Sequence, residues 1–375
     1  MKLNRINGIN FKGKIIDSHA HIGNWEGKRY EIEHLDVFCK QPLSNGDVVE
    51  KMLISNLSCI EEKGMLDEIA GNMEILDSIK NDSKYIPLAV CQPKTGSVEN
   101  IKKLFSENPD SFVGLKFHPD GHKIFASDKL FDPYLRFAQS KKLPCLFHCG
   151  INWENGELVD YTKRFSSPRQ VYAAACKIPD TPVVMAHLGS GGQEVHRDAI
   201  DILIDSIETG RAKLFADISW VDIDNPKKPT IIALIRRLKA TSKGDKVDRI
   251  LFGSDGPIGE FTTGKNGLSG IQLYEKIISD TKKAIKTNFG DEADEIIDKI
   301  FYKNAENLFL GDKTAKNVVH VIQDNVENTV KESVENVKPK GFTGLIVAGV
   351  VAVGAGIFYY CKKNNIFVPK NNQVK

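Results

Sequence analysis

The chain has 375 residues, a formal net charge of +2, and hydrophobic and charged fractions of 41% and 27%. These values are typical of a globular protein with a sizeable core. The near-balanced charge gives no indication of the concentrated basic face that a nucleic-acid-binding protein would have. The seven cysteines are scattered and form no C-x-x-C pair, which favours free thiols in a reducing compartment over a disulfide framework. The basic N-terminus has no apolar run of signal-peptide length before Asp17, so we expect no export signal.

Short apolar segments of β character alternate with amphipathic segments along the chain. The predicted strands are residues 14–21, 51–57, 85–90, 112–118, 143–149, 181–187, 212–218 and 249–255. Apolar residues spaced three or four apart predict helices at residues 65–79, 97–105, 133–141, 168–176, 195–208, 230–239 and 270–285. Strict alternation predicts a parallel sheet with crossover helices, and eight repeats predict that it closes. We therefore expect an α/β fold, a (β/α)8 TIM barrel over residues 14–310.

Histidines and an aspartate lie at the ends of these predicted strands. His19 and His21 alternate on the first strand, His148 ends the fifth, His187 the sixth and Asp255 the eighth. Residues i and i+2 of a strand share a face, and the carboxyl ends of TIM-barrel strands converge on one site. Imidazoles and a carboxylate suit a borderline ion such as Zn²⁺. The pattern predicts one divalent metal ion, with zinc favoured, held by three of these imidazoles and the carboxylate.

Several motifs, in this order and spacing, resemble the amidohydrolase superfamily, in the branch of aminocarboxymuconate-semialdehyde decarboxylase-like proteins. They are IIDSHAHIG (15–23), GLKFHP (114–119), LFHCG (146–150), VVMAHLGS (183–190), ILFGSDGP (250–257) and NAENLF (304–309). The resemblance implies that His19, His21 and His148 are metal ligands. It also implies two catalytic residues: His187 beside the attacking water, and Asp255, which binds the metal and accepts the proton of that water.

Residues near the strand ends are candidates for substrate contacts. Lys116 and His118 share one face of the fourth predicted strand, and we favour a role for both in binding an anionic group of the substrate. In some relatives a lysine on this strand is carboxylated and bridges two metals, which here would make the site binuclear. Further pocket candidates are Trp25, Asn152, Trp153, Arg169, Asp217 and Trp220. Asp217 could equally orient a histidine.

The C-terminal part differs in composition from the barrel. Residues 311–341 form a predicted amphipathic linker with one apolar stripe, and residues 342–361 form an uncharged run of the length that crosses a bilayer. A short polar tail, 362–375, follows. We expect a single-pass membrane anchor with the catalytic domain on the cytoplasmic side. Small residues repeat every four positions in the run, a face on which two copies could pack as a homodimer.

Three functions are compatible with these patterns. The favoured one is a metal-dependent hydrolase that acts on a cyclic amide, lactone or ester-like bond of a small molecule through metal-activated water. The second is a non-oxidative, metal-dependent decarboxylase of a small carboxylated substrate. The third, disfavoured because every expected ligand is retained, is a membrane-tethered scaffold that has lost catalysis. A fold by itself does not choose between these functions.

Overall fold

The computed structural model describes residues 13–60, 66–80, 82–151, 153–154, 157–221, 229–259, 261, 264 and 267–311. The chain divides into two units, Met1–Phe309 and Leu310–Lys375. The predicted linker beyond residue 311, the predicted membrane span 342–361 and the tail lie outside the described residues. Within the described part, no helix is long and apolar enough to cross a membrane.

Parallel strands dominate the first unit, and every predicted strand position contains one. The strands are β1 Lys14–Trp25, β2 Lys28–Tyr30, β3 Val48–Asn56, β4 Tyr85–Pro87, β5 Ala89–Val90, β6 Leu115–Phe117, β7 Cys145–Phe147, β8 Trp153–Glu154, β9 Glu157–Leu158, β10 Pro182–Met185, β11 Lys213–Asp217 and β12 Ile250–Leu251. One sheet has the order β2-β1-β3-β4 and another β12-β11-β10-β7-β6-β5, while β8 and β9 form a hairpin.

Two connections join the larger sheets into a barrel. Leu88 alone separates β4 from β5, and its amide donates to Ile54 O of β3 at 2.8 Å. At the other edge β1 meets the segment after β12: the amide of Ser18 donates to Phe252 O at 2.9 Å and that of His21 to Gly256 O at 2.7 Å. The prediction of an α/β barrel is confirmed.

Helices follow the strands where the apolar periodicity predicts them. They are α1 Glu33–Cys39, α2 Glu68–Ile79, α3 Val98–Glu107, α4 Pro119–His122, α5 Asp132–Lys141, α6 Pro168–Ala175, α7 Gln193–Thr209, α8 Thr230–Lys239, α9 Gly270–Phe289 and α10 Ala293–Asp298. Local side chains fix several helix starts, since the first amides of a helix lack intrahelical acceptors. Asp67 caps α2, Ser97 caps α3, and Ser269 forms a capping box with Gln272 at α9.

The core lies between the strands and the surrounding helices. Phe117 of β6 stacks on Phe147 of β7 with ring centroids 4.6 Å apart, and Phe131 lies edge-on to Phe117 at 5.5 Å. All three side chains are fully buried. Burial of each such side chain stabilises the fold by roughly 1.5–3 kcal/mol.

Strand ends differ from the predictions at the positions that carry polar residues. β1 runs to Trp25, four residues beyond its predicted end, because β2 pairs with it as an antiparallel hairpin. β10 ends at Met185, so His187 lies in a 3-10 turn, and β12 ends at Leu251, well before Asp255. The site residues after β10 and β12 are therefore oriented by loop contacts rather than by strand alternation.

Candidate metal centre

Three elements bring their polar side chains together at the carboxyl end of the barrel. His19 comes from β1, His187 from the turn after β10, and Asp255 from the loop after β12, and one ligand atom of each lies within 4.8 Å of the others. His21 of β1 adjoins this group: its Nε2 is 2.9 Å from Asp255 Oδ1 and 3.1 Å from His19 Nε2. All four side chains are buried.

Lys116 is part of the same cluster. Its side chain is fully buried, and Nζ lies 2.6 Å from His19 Nε2. Burial lowers the pKa of Lys116 to about 8, although the carboxylates of Asp255 and Asp217 oppose the shift. The fourth predicted strand therefore places a positive charge next to His19, and the predicted role of Lys116 in substrate binding stays a prediction.

The donor set fits a divalent cation. Asp217 Oδ2 lies 3.0 Å from His19 Nδ1, and because an ionised carboxylate only accepts hydrogen bonds, Nδ1 carries a ring proton; in the neutral ring Nε2 then carries the lone pair. His19 Nε2 is 3.3 Å from Oδ1 of Asp255. Polar atoms packed this closely in a buried site need compensating charge, and the Lys116 ammonium, 2.6 Å from His19 Nε2, supplies one.

The protonation states of the cluster also suit metal binding. Burial lowers the pKa of His21 and of His187 to about 3 each, so both imidazoles are neutral near pH 7. Burial alone would raise the pKa of Asp255, but His187, His19 and His21 outweigh it and hold that pKa well below its usual range. Neutral imidazoles and an ionised carboxylate are the forms that bind metals.

His148 lies one step outside this group. Its Nδ1 is 3.3 Å from His187 Nε2, and its Nε2 is 3.4 Å from Oδ2 of Asp120. The ring also stacks on His118 at 4.1 Å. In this geometry His187, rather than His148, is grouped with His19 and Asp255, and the ligand role that the resemblance gives His148 stays a prediction.

The predicted substrate residues have different outcomes. His118 is buried beside the centre, and the half-buried Trp25 ring lies 5.5 Å from it, so these two rings line the mouth together. Asn152 lies outside the described residues. Arg169 is not brought to the site: its side chain is 75% exposed and pairs with Asp198 at 2.6 Å. Its place in the first turn of α6 turns it to the surface, which corrects the prediction that it contacts substrate.

Sequence reasoning missed Asp120 and the serines that hold the rings. Asp120 lies in α4, just after the fourth predicted strand, and accepts a hydrogen bond from Ser166. Ser55 Oγ is 2.8 Å from His21 Nδ1, and Ser219 Oγ is 2.7 Å from His187 Nδ1. The sequence signal that could have found these residues is their position at or just after the end of a strand. Many loop residues share that position, so the signal is not specific.

Left-handed backbone conformations mark the loops of the site. His187, Trp220 and Asp255 have φ angles of 59°, 60° and 63°. Such conformations cost a residue other than glycine of the order of 1–3 kcal/mol and persist where surrounding contacts determine them. For His187 one such contact is its amide, which donates to Asp217 Oδ1 at 3.0 Å.

The sequence profile of a known family covers most of the barrel. The profile, described as amidohydrolase, matches residues 88–310. The chain belongs to the amidohydrolase family. It is therefore an enzyme, a hydrolase or a decarboxylase, of a family whose members bind a divalent metal. No curated protein sequence matches the chain.

Solved structures share this fold. A candidate amidohydrolase from Staphylococcus aureus is 14% identical, with a TM-score of 0.54 over 79% of this chain and 99% of that one. A candidate 2-pyrone-4,6-dicarboxylic acid hydrolase from Pseudomonas putida is 11% identical, with a TM-score of 0.53 over 79% and 97%. The 5-carboxyvanillate decarboxylase from Novosphingobium aromaticivorans, complexed with manganese, is 13% identical, with a TM-score of 0.50 over 80% and 97%. At these identities the likeness shows the fold alone.

Proposed function

We propose that this enzyme is a metal-dependent hydrolase that opens a cyclic amide, lactone or similar ester-like bond of a small molecule. The observation that carries the proposal is the convergence of His19 Nε2 and Asp255 Oδ1, two buried acceptors 3.3 Å apart. His187 and His21 complete a donor set for one divalent ion, and the sequence pattern favours zinc. When bound, the ion supplies a Lewis acid that polarises a carbonyl oxygen.

The residues of the cluster have complementary roles in this proposal. Asp255, ionised and buried, accepts the proton of the attacking water. The ammonium of Lys116 binds an anionic group of the substrate, since it is the buried cation of the described cluster. The rings of Trp25 and His118 lie 5.5 Å apart, an aromatic pair that suits a flat, unsaturated substrate.

Lys116 also supports a second candidate function, a non-oxidative decarboxylase. A cation 2.6 Å from His19 would hold a substrate carboxylate beside the proposed metal ligands. The two functions differ in what they release: ring opening consumes water and yields a new acid, whereas decarboxylation yields CO2.

The test combines metal analysis with two probe substrates. Elemental analysis of protein purified without added metal should give about one divalent ion per chain. Turnover of 2-pyrone-4,6-dicarboxylate, a lactone, without release of CO2 would support the hydrolase, and CO2 release from 5-carboxyvanillate would support the decarboxylase instead. A stoichiometry near two, with the mass of one CO2 added at Lys116, would replace the single-ion centre with a binuclear one. Absence of bound metal would contradict both functions.

We also propose that residues 342–361 anchor the enzyme in a membrane, with the barrel on the cytoplasmic side and with pairing of two such segments through their small residues. The support is the sequence pattern alone: an uncharged run of spanning length, flanked by lysines at both ends. A helix of this length satisfies its own backbone hydrogen bonds in lipid.

A further inference from the structure

One buried carboxylate contacts two histidines of the metal centre. Asp217, the last residue of β11, has no exposed surface. Its Oδ2 lies 3.0 Å from His19 Nδ1. Its Oδ1 accepts from the amides of His187 and Ser219, each at 3.0 Å, and from the Ser219 hydroxyl. Donors thus surround both oxygens of Asp217.

The contact with Ser219 determines a proton position on His187. A serine hydroxyl has one proton to donate, and Ser219 gives it to Asp217. In the 2.7 Å hydrogen bond between Ser219 Oγ and His187 Nδ1, the ring must then be the donor. His187 therefore carries its proton on Nδ1 and its lone pair on Nε2, as His19 does.

We propose that Asp217 is a positioning residue that sets the tautomers of two histidines at once, His19 directly and His187 through the Ser219 hydroxyl. The consequence for metal binding rests on the proposed function: both Nε2 atoms are ready to coordinate without loss of a ring proton. The tautomers themselves are a property of the metal-free chain.

His21 provides an internal contrast. Its Nε2 lies 2.9 Å from the carboxylate of Asp255, so in the metal-free chain Nε2 carries the proton and Nδ1 accepts from Ser55 at 2.8 Å. The same cluster therefore contains both tautomers. His19 and His187 differ from His21 because only their Nδ1 atoms connect to Asp217.

Nitrogen-15 NMR of the metal-free full-length protein tests this proposal. Long-range proton–nitrogen spectra distinguish protonated from unprotonated ring nitrogens, and replacement of each of the nine histidines by glutamine assigns the signals. In the wild type we expect Nδ1 to be protonated in His19 and His187 and Nε2 in His21. Protonation of Nε2 in either His19 or His187 would overturn the proposal.

Variants separate the direct contact from the relayed one. Ser219→Ala should change the tautomer of His187 and leave that of His19 unchanged, and Ser219→Thr, which keeps the hydroxyl, should restore it. Asp217→Asn should change both rings, and the Ser219 pair remains decisive should this variant not fold. The control Ser206→Ala removes an equally buried hydroxyl on α7 that donates to Leu203 O at 2.7 Å, and should change neither ring.

Chelator competition gives a second, independent measurement. Ser219→Ala should weaken metal binding by about 10–100-fold, the usual effect of losing a partner of a ligating histidine. Equal changes in the tautomers of His19 and His187 in the NMR spectra of this variant would contradict a relay through Ser219. Correct tautomers in a wild type that binds no metal would leave this inference standing and overturn the proposed function, so the two failures are distinguishable.

Discussion

Trp220 donates its indole N–H to Oδ2 of Asp255 across 2.8 Å, and this contact selects which oxygen of Asp255 faces the histidines. The other oxygen, Oδ1, is 2.9 Å from His21 Nε2 and 3.3 Å from His19 Nε2. An indole is a donor only, so it binds the ionised carboxylate and keeps it from rotating. Oδ1 is thereby held as the oxygen available to a metal or a proton.

Asp255→Asn should lower the turnover of whichever of the two probe substrates the wild type converts. The expected loss is about 10²–10⁴-fold, since the amide keeps the shape of the side chain but accepts no proton. Steady-state kinetics give the loss, and circular dichroism checks that the variant folds. The matched control is Asp201→Asn on the surface of α7, whose carboxylate pairs with Arg237; it should turn over like the wild type. Wild-type turnover in Asp255→Asn would mean that Asp255 is only a turn residue.

His19→Ala should abolish stoichiometric metal binding, since it removes a central donor atom of the cluster. His187→Ala should lose more metal affinity than His148→Ala, because His187 lies in the tight group with His19 and Asp255 whereas His148 faces Asp120. Competition with a chelator measures each affinity. The reverse order would return the ligand role to His148, as the family resemblance implies.

Gly71→Ala should destabilise the protein although alanine favours a helix by about 1 kcal/mol. A Cβ at Gly71 in α2 would lie 1.9 Å from Cys59 Sγ, and overpacking of this kind costs roughly 1–3 kcal/mol. Urea denaturation gives the change. The double variant Gly71→Ala, Cys59→Ala should recover most of the loss, because the next nearest atom, Cys59 Cβ, is 3.6 Å away. Additive losses in this cycle would rule out the steric contact as the cause.

Glu68→Gln should alter how stability depends on pH. The buried Glu68 carboxylate accepts from the amides of Gln92 and Ser97 at 3.0 and 2.6 Å, and burial raises its pKa although these bonds oppose the shift. The folded state therefore holds this proton more tightly than the unfolded state. The stability that protonated Glu68 contributes is fully present below the pKa of this group in the unfolded state. It is lost as the pH rises through the pKa of the group in the folded state.

Urea denaturation of the wild type and Glu68→Gln, from about pH 4 to about pH 7, measures this difference. Relative to the variant, the wild type should lose stability as the pH rises. Glu99→Gln is the matched control, since its side chain is 71% exposed. A stability difference that does not change with pH would mean that Glu68 has the same pKa in both states.

Full-length protein should remain with membranes after a carbonate wash, which removes electrostatically bound proteins but leaves spanning helices in place. A chain truncated after Gly311 should stay in the supernatant and bind metal, since every proposed ligand precedes that position. Protease added outside intact cells should leave the barrel uncut. Release of the full-length protein by carbonate would contradict the proposed membrane span. Digestion of the barrel from outside would contradict its proposed cytoplasmic orientation.

The sequence by itself predicted the strands and the helices, because each depends on local periodicity, and the barrel, because eight strand–helix repeats indicate a closed sheet. It also identified Lys116, His19 and Asp255 as neighbours, since the carboxyl ends of parallel strands in a barrel must converge. The family resemblance gave the same residues their expected chemistry.

Only the tertiary structure decided which imidazole stands beside His19 and Asp255. His148 and His187 both follow strand ends, and their spacing in the chain carries no information on ring orientation. That orientation depends on side chains of other strands and loops: Asp120 Oδ2 lies 3.4 Å from His148 Nε2, and Ser219 Oγ accepts from His187 Nδ1. The same reason removed Arg169 from the site: α6 directs it to solvent, where Asp198 pairs with it.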